Sequence, residues 1–313
     1  MVNEYCSTTS HGLNSSKGYH EIYGAFFIST DIGISCIGSI LNIIAFLSIL
    51  HDVRKYRTFR YQNIYLLTLV CIDFLDTSVG IPVYVFSKTV GLPMISGKPH
   101  FCLCLIGIYL TLHAWQIITL CIISFDRFQA VSNPIEYSHQ GSIKKIKVII
   151  GITIGCLISL AFGYLPLIYH SHSKAKRCFF GQVINLDYVM LYVSTLILPG
   201  FFILVAVNSA TVYKLRRHFQ NLNLPNSQDT TYRDSAILVL AWVLIITITW
   251  LPIASTRILQ CTSQTFAKSL KGYQTNATVL IWHLNDLFDP LVYILYKKIR
   301  KYLLNKNICY DAE

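Results

Sequence analysis

FCLCLIGIYLTLHAWQIITLCIISFDRF, residues 101–128, is the stretch whose reading decides the fold. From Phe101 to Phe125 it holds no Asp, Glu, Lys or Arg. About 20 such residues, rising 1.5 Å each, cross the ~30 Å of a bilayer's hydrocarbon. The run then ends on Asp126-Arg127-Phe128. An arginine costs about 2.5 to 3.5 kcal/mol at the centre of a bilayer, so Arg127 belongs near an aqueous face, with Asp126 offsetting part of the cost. Taken alone, the pair reads equally as a charged anchor flanking a membrane helix.

Working outward, the whole chain has the same character. Hydrophobic residues make up 53% of its 313 residues and charged residues 13%, with mean hydropathy +0.50. A soluble domain carries about 25% charged residues. Too little charge is present to solvate a globule, so the main solvent is lipid. Apolar spans fall at 22–50, 62–87, 101–125, 146–169, 187–213, 235–260 and 274–296. The chain therefore reads as an all-α membrane protein, a seven-transmembrane helix bundle. An outer segment, 1–21, precedes the bundle at 22–296, and a short amphipathic helix and inner tail, 297–313, follow it. The first 21 residues are polar, so the first span is expected to act as its own insertion signal.

Charge orients the bundle. With the N-terminus outside, 17 of the 26 Lys and Arg residues lie in cytoplasmic segments and 9 in outer ones, as the positive-inside rule requires. The net charge of +11 is spread among the loops rather than gathered into one aromatic-laced patch, which argues against nucleic acid. The glycosylation acceptors at Asn14 and Asn276 both fall outside, the second close to the seventh span. Of ten cysteines, Cys36, Cys71, Cys121 and Cys156 read as small buried hydrophobes. Cys102 and Cys178 lie at the oxidising face, which favours a bond between them. Cys104 competes for the same partners, and Cys6 with Cys261 forms a second outer pair whose bonding the sequence leaves open.

With these features in place, the chain resembles the rhodopsin-like (class A) family of G-protein-coupled receptors over residues 22–304. Asn42 matches the first-span asparagine and Asp73 the second-span aspartate. Asp126-Arg127-Phe128 is similar to Asp-Arg-Tyr, and Pro134-Ile135-Glu136-Tyr137 to Pro-Leu-x-Tyr. Pro199 matches the fifth-span proline, Thr249-Trp250-Leu251-Pro252 resembles Cys-Trp-x-Pro, and Asp289-Pro290-Leu291-Val292-Tyr293 resembles Asn-Pro-x-x-Tyr. The ordered set is specific, though each string alone is weak. Prolines inside spans remove a backbone donor and make joints about which helices swing.

The resemblance implies a coupling switch of Asp126, Arg127, Ile135, Trp250, Pro252, Asp289, Pro290 and Tyr293, acting on a heterotrimeric G protein. Trp250 would sense ligand at the pocket floor, and Tyr293 would swing inward as the bundle opens. Asp73, Asn285, Asp286 and Asp289 form the expected sodium or proton site, since several buried carboxylates cannot all ionise without a cation. The same carboxyls read otherwise as neutral, hydrogen-bonded ties. Several family positions differ: Gly155-Cys156-Leu157 stands near the fourth-span tryptophan, Val207 at the fifth-span tyrosine and Ile246 at the sixth-span phenylalanine. Tyr232 stands where an acid often locks the arginine, with Asp229 and Asp234 nearby. Some ligand-independent signalling is expected from that loss.

Tyr109, His113, Trp250, Arg257 and His283 form the expected ligand pocket. Tyr109 stands where amine receptors carry an aspartate, and His283 where opsins carry the retinal-linking lysine; both ligands are therefore disfavoured. Tyr109, His113 and Gln116 share one helix face. Arg257 and the basic loop His170 to Arg177 suggest an anionic ligand, from a lipid acid, a nucleotide or an acidic peptide terminus. Snorkelling basic residues are the plainer reading. A transporter using the buried carboxylates is the alternative class, but matched broken helices are not visible. Catalysis by His100, His113 and His283 lacks any metal-binding spacing, so an enzyme is not expected. At the inner end, Tyr296, Ile299, Tyr302 and Leu303 with Lys297, Lys298, Arg300 and Lys301 would lie along the inner lipid leaflet, and Cys309 is a candidate for palmitoylation.

Overall fold

The structure is a computed structural model that describes residues 16–56, 61–89, 99–133, 136–137, 141–169, 188, 191–221, 244–245, 247–260, 262, 272–295 and 297. Helix α1 runs Ser16–Tyr56 and so begins inside the segment read as an outer tail. Helix α2 runs Tyr61–Leu75, passes through a π turn at Asp76–Gly80 and resumes over Ile81–Thr89. Helix α3 is Pro99–Ser132 and α4 is Gly141–Tyr169. Helix α5 opens with a π turn, Val193–Ile197, and continues over Leu198–Asn221. Helix α6 is described over residues 247–260, and α7 over Gly272–His283 and, past a turn at Leu284, residues 285–295. Five of these helices are each long and apolar enough to cross a membrane, the first four spans and the fifth.

Both π turns have the same cause. Each has a proline two residues past its end, Pro82 after Gly80 and Pro199 after Ile197. A proline ring crowds the turn before it and supplies no N–H, so the helix widens there. The widened turns close with i to i−5 bonds, from Ile81 N–H to the Asp76 carbonyl and from Leu198 N–H to the Val193 carbonyl. The joint expected at Pro199 is therefore present. A second one, before Pro82, adds to it and re-aims the side chains of α2 above Asp76.

Helix α3 is the axis of the bundle: 67% of its most apolar window is buried, against 33% for α1 and 22% for α4. It packs against α2, α4 and α5, and α1 packs against α2 and α7. The main core joins Ile106, Leu110, Ile117 and Leu120 of α3 to Leu204 of α5 and Trp250 of α6. On the outer sides of α1 and α4, Ile40, Ile43, Leu47, Ile146, Ile150 and Ile154 are exposed, forming stripes that face lipid. The α3–α4 crossing depends on small residues. A Cβ at Gly163 would fall on Thr111 Oγ1 and lie 2.6 Å from the Gly107 carbonyl oxygen.

Candidate functional site

Three polar layers lie along α3 between its outer and inner ends. The outermost joins three helices. The Tyr109 hydroxyl lies 3.0 Å from His283 Nε2, and His283 Nδ1 lies 2.9 Å from the Asp31 carboxylate of α1. In the neutral ring Nδ1–H donates to the carboxylate, so Nε2 accepts from the Tyr109 hydroxyl. Tyr84 of α2 stacks on Tyr109 with centroids 5.6 Å apart and meets the edge of His283 at 5.1 Å. Below them is an aromatic floor. His113 lies 3.9 Å from the Trp282 ring and 4.4 Å from Tyr109, and Trp250 meets Trp282 edge-on at 5.3 Å.

The second layer holds the carboxylates. The Gln116 amide donates to Asp73 Oδ1 at 2.8 Å and to Asp286 Oδ1 at 3.1 Å. Asn285 donates to Asp289 at 3.2 Å and accepts from Thr249 of α6 at 3.2 Å. Asn42 ties α1 to the Asp286 carbonyl at 3.2 Å. The π turn of α2 brings in Asp76, which is 2% exposed and 3.6 Å from His113 Nδ1. Asp73 Oδ2 and Asp286 Oδ2 are buried without hydrogen-bond partners among the described residues. Hard anionic oxygens of this kind suit a sodium ion. Among the described residues, no group of three His, Cys, Asp or Glu side chains is arranged to hold a metal ion. A sodium ion would therefore share the Asp73–Asp286 pair with the Gln116 amide and lean on neutral oxygens nearby.

The third layer surrounds Asp126 and Arg127 at the inner end of α3. The Tyr137 hydroxyl donates to Asp126 Oδ2 at 2.7 Å, Lys144 Nζ of α4 lies 3.3 Å from Asp126 Oδ1, and Arg127 Nη2 lies 3.7 Å from Oδ2. Tyr293 packs with Ala45, Ile49 and Val70. Just beyond it, Lys297 pairs with Asp52 at 2.8 Å and donates to Ser48 Oγ at 2.7 Å, clasping α7 to α1.

Most of the residues singled out from the sequence meet in these layers, and several partners were missed. Tyr109, His113, Trp250 and His283 come together, while Arg257 stands half-buried and bonds Gln260 at 3.2 Å. The sequence reading of three buried carboxylates is an undercount: Asp31 and Asp76 are buried beside Asp73, Asp286 and Asp289. Their signal was available, because an ionisable residue inside an apolar span is costly and needs a partner. Cys102 is disulfide-bonded and Cys104 is free, so the competition expected from Cys104 does not occur. Asn276 lies within the first stretch of α7. Cys178, Cys6, Cys261, Asn14, Ile135 and Cys309, with the helix expected after Lys297, lie outside the described residues.

The sequence is similar to those of known proteins. Residues 41–293 match the family described as 7 transmembrane receptor (rhodopsin family). The chain belongs to that family: it is a multi-pass membrane receptor of the G-protein-coupled class and not an enzyme. Among curated relatives, the adenosine receptor A2b of Rattus norvegicus is 22% identical over 264 residues, covering 77% of this chain and 78% of that receptor. The alpha-2 adrenergic receptor of Carassius auratus is 29% identical over 163 residues, 51% of this chain and 35% of that receptor's length. The D(4) dopamine receptor of Homo sapiens is 32% identical over 91 residues, 29% of this chain and 22% of that receptor.

Proposed function

We propose that this receptor sits in the plasma membrane with its N-terminus outside, takes an extracellular ligand above the Tyr109–His113–Trp250 floor and drives nucleotide exchange on a heterotrimeric G protein. The observation that carries the reading is the line of buried polar and aromatic contacts along α3. It begins at Tyr109 and His283, passes His113 and Trp250, runs through the Gln116-bridged carboxylates and ends near Arg127. Asp73, Asn285, Asp286 and Asp289 serve in this reading as a sodium or proton site that biases the bundle. The outer bond joins Cys102 to Cys178, Asn14 is glycosylated, and the basic helix after α7 rests on inner-leaflet lipid with Cys309 as its acylation site.

The ligand carries an anionic group that meets Arg257. Tyr109 offers a cationic amine no counter-ion, even though two of the relatives are named for amine ligands. A nucleotide would add the anionic group that the basic mouth favours to the neutral nucleoside for which one relative, aligned with more than three quarters of this chain, is named. The test is nucleotide exchange on purified G proteins by the reconstituted receptor, against panels of nucleosides, nucleotides, lipid acids, acidic peptides and amines. Activation by an anionic class is expected. Activation by amines alone would overturn the ligand reading, and failure to catalyse exchange under any condition would overturn coupling.

A further inference from the structure

The innermost polar layer contains a cation that the switch described above does not use. We propose that Lys144 is a positioning residue for Arg127: it competes for the Asp126 carboxylate and so raises the receptor's ligand-independent coupling. The inference rests on the coupling role given to Arg127 under the proposed function.

Asp126 faces one hydroxyl donor and two cations, all three of them buried. Its Oδ1 faces Lys144 Nζ at 3.3 Å, and its Oδ2 accepts the Tyr137 hydroxyl at 2.7 Å. Arg127 reaches the same Oδ2 at 3.7 Å, beyond hydrogen-bond range. The carboxylate's charge is therefore met first by groups other than Arg127. Lys144 acts on Arg127 in two ways of the same sign. It takes up the negative charge that would hold the guanidinium, and its own positive charge repels it. With Lys144 4% exposed and Asp126 5% exposed, solvent screens neither effect strongly.

Two further features hold Lys144 in place. Its ammonium lies 2.8 Å from the centroid of the Tyr137 ring, so the tyrosine that bonds Asp126 also cradles the lysine. Lys144 also stands in the first turn of α4, where the helix macrodipole disfavours a cation. A lysine buried at that end needs its carboxylate partner, so the Asp126–Lys144 pair holds to the degree that the Asp126–Arg127 pair is released.

The experiment measures basal exchange on G proteins by the full chain in lipid nanodiscs, at equal amounts of folded receptor, for the parent, Lys144→Met, Lys144→Arg and Asp126→Asn. Lys144→Met keeps the apolar stem and removes the charge; basal exchange should fall by about fivefold to tenfold, the lower end of the usual range of coupling between sites. Lys144→Arg should restore the parent rate, which a merely structural loss would not produce. Asp126→Asn should raise it. Unchanged or increased exchange in Lys144→Met, or an arginine variant that behaves like the methionine one, overturns the inference. Should Lys144→Met fold too poorly to assay, Lys144→Gln takes its place with the same expected fall. A parent without basal exchange also overturns the inference, while the coupling reading falls only if no ligand class drives exchange either.

Discussion

At the scale of single residues, the outer half of the bundle is organised by one imidazole. His283 is fully buried and bonds Asp31 on one side and Tyr109 on the other, so one ring joins α1, α7 and α3. Buried polar groups are costly unless paired. This pairing lets a histidine and an aspartate sit within lipid-embedded helices. Arg257 has a different environment, half-buried and bonded to the neutral Gln260. A charge-assisted hydrogen bond contributes about 1.5 to 3 kcal/mol. Arg257→Ala should therefore weaken an anionic agonist by roughly 10- to 150-fold in a concentration–response measurement. Arg257→Lys keeps the charge but loses the planar fork, and should recover part of the loss. Equal potencies on the parent and the alanine variant would show that the basic mouth is solvated surface. Tyr109, His113 and Trp250 do meet in one aromatic cluster, and it was the family resemblance, with the shared face of Tyr109 and His113, that singled them out in the sequence. Asp31 was not paired with His283, because 252 residues separate them and sequence spacing carries no trace of that contact.

At the scale of helices, close packing and one covalent tether set where the layers lie. The α3–α4 crossing leaves no space for a side chain at Gly163. In Gly163→Ala the methyl meets the Gly107 backbone carbonyl, which cannot rotate away, so the helices must separate. The expected cost is about 1 to 3 kcal/mol, read as a lowered thermal midpoint in detergent. Gly151→Ala is the control on the same helix, since its methyl meets only Ile122 Cδ1 at 3.9 Å and should be tolerated. A Gly163→Ala midpoint equal to that of Gly151→Ala would mean that the crossing is looser than described. At the outer end of α3, Cys102 is bonded and buried. Cys102→Ser should lower both surface expression and ligand affinity, because the bond proposed to Cys178 would anchor the outer loop over the proposed pocket. Parental values in both measures would remove that role for the bond. The helices themselves were legible from their apolar runs, and the joint at Pro199 from its proline. The π turn at Asp76–Gly80 was not, although Pro82 signalled it: a proline indicates that a helix will be disturbed, but packing decides whether it kinks or widens.

At the scale of the whole molecule, the layers are stacked along α3 from its outer end to its inner end. Arg127→Ala should abolish nucleotide exchange while agonist binding at the outer face stays measurable, since coupling between such sites is at most about 150-fold. Exchange at the parental rate in that variant would count against the layers as a switch. The sequence by itself determined the class of protein, because lipid accepts only closed hydrogen-bonded helices and so turns composition directly into architecture. It also set the order of the motifs along the spans and, through the distribution of lysine and arginine, the orientation proposed for the bundle. The partnerships were decided only by tertiary structure: Asp31 with His283, Gln116 between Asp73 and Asp286, and Lys144 against Asp126. Each polar side chain within the bundle requires a partner. Which one it finds depends on how helices distant in sequence rotate and cross, and that is set by the packing of the bundle as a whole.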